Sequence, residues 1–337
     1  MKYYIVTTTK FAEQCLQHFT YGATQSNWLA NVDIGDIVFL SQFNYKAQEI
    51  FGPLRVVKTL FYNKSIIYPA QKYFYRVQFA PVESICAIEE TDLYLNGIQC
   101  GDPDFYYKLI NLIQQNKHLH CISLTDREGM AILDTLQKFG IKHKIHDPKK
   151  LNLEIAEVTR EYIWQKNRLD KKRQFTSESD FETYLLLSLK NKDSSEYKTV
   201  NEIMAKYSGN NLVHSAIYNQ FILGNAYPAD LVVLTDGSIN VFELKRDRLT
   251  SIIANQIEKE MRKHLYYSLL SERVLQKNVP KVFNFYLVCF CQGSRRTRDS
   301  VLNVYESLRS RIEYPRKNNL IFLEYEPRDG TLFLFQA

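Results

Sequence analysis

A chain of 337 residues, 45% hydrophobic and 24% charged, predicts two folded parts: an α+β β-barrel with attached helices, followed by an α/β domain. Three observations support that reading. Up to about residue 85 the apolar runs are short, β-branched and aromatic, with one helical stretch among them. From about residue 175 helical and strand periods alternate, the order that covers a sheet with helices. Between these parts, residues 141–174 are crowded with lysine and arginine and poor in small turn residues, which marks a basic, partly helical connector. The expected boundaries are therefore 1–140, 141–174 and 175–337.

KYYIVTTT reads as the first strand and KFAEQCLQHF as a helix. DIVFLSQF, EIFGPLRVVKTLFY and KYFYRVQFAP follow as strands divided by polar, Gly and Pro breaks, enough for a small, partly closed barrel with one helix laid on it. DPDFYYKLINLIQQNK and SLTDREGMAILDTLQKFG are helical, the second with Thr125 or Asp126 as N-cap and Gly140 as its stop. In the second part SESDFETYLLLSLKN is a capped helix, YPADLVVLTDGSINVFELKR a hairpin, and residues 247–275 a long amphipathic helix. KVFNFYLVCFC is a buried strand, SVLNVYESLRSR another helix, and NLIFLEYE and GTLFLFQA finish as strands.

No apolar run approaches the ~20 residues a bilayer-crossing helix needs, and MKYYIVTTTKF lacks a signal-peptide pattern, so no membrane is expected and the location is read as cytoplasmic. Cys15, Cys86, Cys100, Cys121, Cys289 and Cys291 are scattered without a C-x-x-C pair, which argues against a disulfide framework or a zinc site. His118, His120 and Cys121 in HLHC are read as ordinary packing. The net charge of +6 favours an anionic partner.

The hairpin carries the most chemistry. With Asp236-Gly237 as the central pair of a two-residue turn, Thr235 faces Ser238, and the same register sets Asp230 opposite Glu243. Opposed residues share a sheet face, and Lys245, two positions on, shares it too. Val232, Leu234 and Val241 lie on that face and Leu231, Val233, Phe242 and Leu244 on the other, so both sides are apolar and the strand pair is interior. Two buried, opposed carboxylates require something positive between them. Lys245 supplies part of it, and a hard divalent cation, Mg²⁺ with Mn²⁺ able to substitute, completes it.

Pro228-Ala229-Asp230 and Glu243-Leu244-Lys245 resemble the signature of the PD-(D/E)XK nuclease superfamily, and the stretch is most similar to NucS-type and related restriction-like enzymes. The resemblance covers roughly residues 175–292 and implies a restriction-endonuclease-like α/β domain that hydrolyses phosphodiesters. It further implies metal binding by Asp230, Glu243 and the Leu244 carbonyl, with Lys245 orienting or helping to deprotonate the attacking water. Such folds add an acid from the preceding helix; Glu178 and Glu182 lie on one helical face and Glu182 is preferred. Gln256 matches the glutamine of a Q-x-x-x-Y motif, although Glu260 stands in the tyrosine position. Arg295, Arg296 and Arg298 in CQGSRRTRD are the candidate phosphate contacts.

The first part is similar to PUA-like domains of the YTH, EVE and DCD kind, through YYIVTTTKFAEQCLQHFTYGATQSN and DIVFLSQFNYKAQEIFGPLRVV. That resemblance implies a module that holds a flipped or modified base between aromatic rings. Ala23 occupies the place of the first cage tryptophan of a YTH domain, which leaves Trp28, Phe43, Tyr45 and Phe51 as candidate walls. Together the two resemblances imply modification-dependent DNA restriction by a homodimer, since one site cuts one strand. The alternatives are a nucleic-acid-binding protein with a degenerate nuclease fold and an RNA-processing nuclease.

Overall fold

Strand β1 (Tyr3–Thr8) is buried along its whole length, as a run of tyrosine and β-branched residues with a strand on either side should be. The computed structural model describes residues 1–43, 48–68, 72–145, 148–149, 155–167, 174–209, 211–223, 228–235, 237–247, 259, 282–290, 303, 306–307, 310, 318–328 and 331–336. They divide into two units, Met1–Val158 and Thr159–Ala337, each with its own sheet.

In the first unit β1 is followed by α1 (Ala12–His18), β2 (Thr20–Ala23), β3 (Ile37–Phe43), β4 (Gln48–Tyr62), β5 (Tyr75–Glu89), α2 (Glu90–Gln99), α3 (Pro103–Gln115), β6 (Cys121–Leu124), α4 (Asp126–Phe139), β7 (Ile141–Lys142) and β8 (Ala156–Glu157). The sheet runs β2-β5-β4-β3-β1-β6, with β7 on β5 and β8 on β4. β4 and β5, each of 15 residues, shift register at three places along their pairing. Such irregularities bend a ribbon and increase its twist, and the sheet curls into a half-barrel. Helix α4 starts with a capping box: the Thr125 hydroxyl accepts from Glu128 N–H and the Glu128 carboxylate accepts from Thr125 N–H at 2.8 Å. β5 runs eight residues beyond the KYFYRVQFAP strand expected, to Glu89, and α2 and β6 are elements the periodicity does not single out.

The stretch expected as a connector is divided between the units where it is described. β7 and β8 pair into the first sheet, whereas α5 (Arg160–Asn167) packs on α6 (Glu178–Lys190). Its basic residues are partly paired, with Lys166 Nζ on Asp180 at 2.8 Å and Arg160 Nη1 on the buried Glu196 at 3.3 Å.

The second unit continues with α7 (Ser195–Ser208), β9 (Ala216–Ile222), β10 (Pro228–Leu234), β11 (Ser238–Leu244), β12 (Val282–Phe290), β13 (Asn318–Arg328) and β14 (Thr331–Gln336). The sheet order is β14-β13-β12-β11-β10-β9, with β11–β12 and β12–β13 parallel and the outer pairs antiparallel. α7 and β9 are further elements the sequence pattern does not single out, and the helices expected at 247–275 and 300–311 lie almost wholly outside the described residues. Seven α-helices and two sheets make the described chain a mixed α/β protein. No helix among the described residues is long and apolar enough to cross a membrane.

Candidate active site

The hairpin has the register that its Asp-Gly pair predicts. Thr235 N–H donates to Ser238 O at 3.0 Å, and Leu231 pairs with Phe242 and Val232 with Val241, so the next step outward sets Asp230 beside Glu243. All seven residues of β11 are buried, and Leu231, Val232 and Val233 of β10 are fully buried, so the strand pair is interior on both faces.

Four charged side chains meet at this end of the hairpin. The Asp230 Oδ2 accepts the Leu244 N–H at 2.7 Å, tying its strand to the one carrying Glu243. Lys245 Nζ donates to Glu243 Oε1 at 2.7 Å. Glu182, 3% exposed on α6, accepts the Gln220 side-chain Nε2 on both of its carboxylate oxygens, at 2.9 and 2.8 Å. Gln220 lies on β9, where the pairing of Ala229 with Phe221 and Leu231 with Asn219 sets it opposite Asp230. Its backbone is left-handed, φ 48°, a conformation non-glycine residues adopt at a cost and keep where the surroundings enforce it.

Charge couples these groups. Burial first, and then the Glu182 carboxylate, push the Asp230 carboxyl up to about 7; the Lys245 ammonium and the Leu244 N–H pull the other way without cancelling them. Burial works against the charge of Lys245, but Glu243 and Asp230 outweigh it and hold the ammonium on well above its ordinary range. Three carboxylates and one ammonium thus leave an excess of negative charge, which raises the proton affinity of Asp230.

That donor set fits a hard divalent cation. Among the described residues no group of three or more His, Cys, Asp or Glu side chains could hold a metal ion by itself. Mg²⁺ does not require one: it is usually held by one or two carboxylates and keeps several waters.

The first unit contains a cavity of about 240 Å³ whose walls include Thr7, Phe11, Tyr21, Tyr68, Tyr73 and His120. Phe11, Tyr68 and Tyr73 pack edge-on or tilted against one another, with ring centroids 5.4–6.4 Å apart. Trp28, Phe43 and Phe51, singled out from the sequence, do not line it. Trp28 packs against His120 at 6.0 Å, Phe43 lies under the Lys117 ammonium at 3.6 Å, and Phe51 is buried against His143 at 5.0 Å. Tyr45, Gln256, Arg295, Arg296 and Arg298 lie outside the described residues.

Two features escaped sequence reasoning. Gln220 left one signal, a polar residue within the apolar run AIYNQFI. The cavity walls come from β1, α1, β2 and segments outside the regular elements, so no local pattern could gather them.

Comparison with protein-family models finds no match, and no curated protein matches the chain. Among solved structures, a hypothetical protein from Leishmania major is similar at 17% identity with a TM-score of 0.29, over 41% of this chain and 96% of that one. A protein from Pseudomonas putida, solved by X-ray crystallography, is similar at 14% identity with a TM-score of 0.26, over 40% of this chain and 98% of its own.

Proposed function

We propose that the protein is a metal-dependent DNA endonuclease in which a PD-(D/E)XK-type second unit cuts and a PUA-like first unit reads a flipped or modified base. The observation that carries the proposal is the meeting of Glu182, Asp230, Glu243 and Lys245 from a helix and two strands at one end of an otherwise buried hairpin. Buried acids are costly, and a fold that keeps three of them together needs them for a cation or a proton.

Asp230, Glu243 and the Leu244 carbonyl are the ligands for Mg²⁺ or Mn²⁺. When bound, such an ion polarises the scissile phosphate and lowers the pKa of a coordinated water. Lys245, held on Glu243 at 2.7 Å, orients the attacking water and stabilises charge developing on the phosphoryl oxygens. Glu182 adds negative charge behind Asp230 and is fixed by Gln220. The resemblance to the nuclease superfamily gives Gln256 a supporting catalytic role, and Arg295, Arg296 and Arg298 are the candidate contacts to the DNA backbone. The aromatic cavity takes the base, with stacking worth ~1–3 kcal/mol. Double-strand cleavage by a single-strand-cutting site calls for a homodimer, and the combination of reader and nuclease fits modification-dependent restriction in the cytoplasm.

The test is digestion, with Mg²⁺ or Mn²⁺, of unmodified DNA, of DNA with methylated or hydroxymethylated adenine and cytosine, and of RNA of the same sequence. Preferential cutting of one modified DNA, lost in Lys245→Ala, is expected. Equal cutting of every DNA removes the reader while leaving the nuclease. Cutting of RNA alone turns the reading to RNA processing, and no cutting of any substrate removes the enzyme.

A further inference from the structure

The hydrogen bonds around the aromatic cavity constrain what it can hold. The Tyr21 hydroxyl stands 2.7 Å from the Thr7 carbonyl oxygen, which can only accept, so the phenolic proton lies on that bond. The same hydroxyl oxygen is 3.2 Å from His120 Nδ1, and with its one proton already committed it must accept there. His120 Nδ1 therefore carries a proton. Burial lowers the proton affinity of His120, so the ring is neutral and its Nε2 is a bare lone pair. No hydrogen bond among the described residues uses that atom.

One polar atom in the cavity wall is buried without a partner. The hydroxyl of Thr7, a residue 6% exposed, makes no hydrogen bond although it is buried. Buried polar atoms are ordinarily satisfied, and one left open in a cavity wall points to a group that enters. The remaining walls are the rings of Phe11, Tyr68 and Tyr73. At about 240 Å³ the space is below the ~300 Å³ at which pockets for larger ligands begin, and suits one planar ring system.

We infer that the cavity selects a neutral heterocycle that carries an exocyclic amino group, as adenine and cytosine do, whose N–H donates to His120 Nε2 while the Thr7 hydroxyl meets a neighbouring ring atom. A base of the thymine or uracil kind offers its only ring N–H between two carbonyl oxygens, one of which would face the imidazole lone pair. Tyr21 is the positioning residue: by donating to the Thr7 carbonyl it fixes the tautomer of His120. This inference rests on the proposal that the first unit binds a base, and deepens it.

The probes are duplex oligonucleotides with one base set opposite an abasic site, so that extrusion costs little. The full chain, kept from cutting by EDTA, is titrated with adenine against purine and with cytosine against pyrimidin-2-one, each pair differing only in the amino group. At least one amino-bearing probe is expected to bind about tenfold more tightly than its deamino counterpart, the effect of one buried hydrogen bond. Tyr73→Ala is expected to weaken both members of that pair. Equal binding within both pairs, still weakened by Tyr73→Ala, overturns the selection by His120 and leaves base binding standing. If no probe binds better than a fully paired duplex, base binding falls and the selection with it.

Discussion

Gln220 combines a strained backbone with a buried, charged partner. Its backbone is left-handed, φ 48°, and its Nε2 donates to both oxygens of Glu182. Gln220→Ala keeps the strained backbone but takes the amide nitrogen that bridges both oxygens away from a 3%-exposed carboxylate. A loss of about 1–3 kcal/mol in denaturant unfolding is expected, as for other buried groups deprived of partners. If Glu182 acts with Asp230, DNA cleavage should fall at least about tenfold under conditions where the variant is still folded, since about 1.4 kcal/mol of misplaced charge suffices for that. Asp230 supplies a second expectation at this scale. Its carboxyl is raised to about 7, against about 3.9 in an unfolded chain, so between those values the folded protein binds the extra proton. Stability attributable to this group is therefore present at low pH and declines as pH rises toward 7. Urea unfolding at about pH 5 and about pH 8 should show that decline, and Asp230→Asn should flatten it. Added Mg²⁺ should restore stability to the native protein above neutrality and not to the variant, because an ion that binds only the folded state stabilises it.

At the scale of elements, a feature is legible where its signal is local. The 230–243 register is readable because one Asp-Gly pair dictates every residue outward, which sets the two acids opposite each other. Glu182 was readable because a capped helix with its acids four apart has one face to offer. Trp28, Phe43 and Phe51 stand out by their aromaticity, and a sequence does not say which way a ring points: Phe51 turns inward and Phe43 lies under a lysine. The rings that line the cavity come from separate segments that only the fold brings together. One device in the loop between β4 and β5 is of that kind: fully buried Arg76 donates to Tyr73 O at 2.9 Å, to Asn63 Oδ1 at 2.7 Å and to Ser65 O, holding the loop that carries Tyr68 and Tyr73. Another crosses the second sheet, where Asn319 donates to Asn284 and Asn284 to Asn240, each at 2.8 Å, at paired positions on three strands. This ladder sits three residues, about 10 Å, from Glu243 along β11. Asn284→Ala breaks both rungs and should cost about 1–3 kcal/mol in unfolding while leaving the metal dependence of cleavage unchanged. A changed metal dependence would show that strand register and site are coupled more tightly than that distance implies.

At the scale of the whole molecule, the division between Val158 and Thr159 separates the two candidate chemistries. The cavity walls all lie in the first unit and the carboxylates and Lys245 all in the second, and each unit has a sheet whose described strands come from that unit alone. The first sheet ends with β8 at Glu157, and the Arg160–Glu196 pair already belongs to the second unit. A cut after Val158 therefore severs no strand pairing in either sheet. Expressed separately, residues 1–158 and 159–337 should each unfold cooperatively in calorimetry. The second fragment should retain Mg²⁺-dependent cleavage and lose any preference among modified DNAs; the first should bind the amino-bearing probe without cutting. Cleavage by the second fragment should weaken with added salt, because binding to phosphates is then its main hold on DNA. If that fragment still discriminates among modified bases, recognition resides with the nuclease and the aromatic cavity serves another ligand. If it folds but cuts nothing, while the full chain cuts, the carboxylate cluster needs the first unit to reach its substrate, and reading and cutting are one event rather than two.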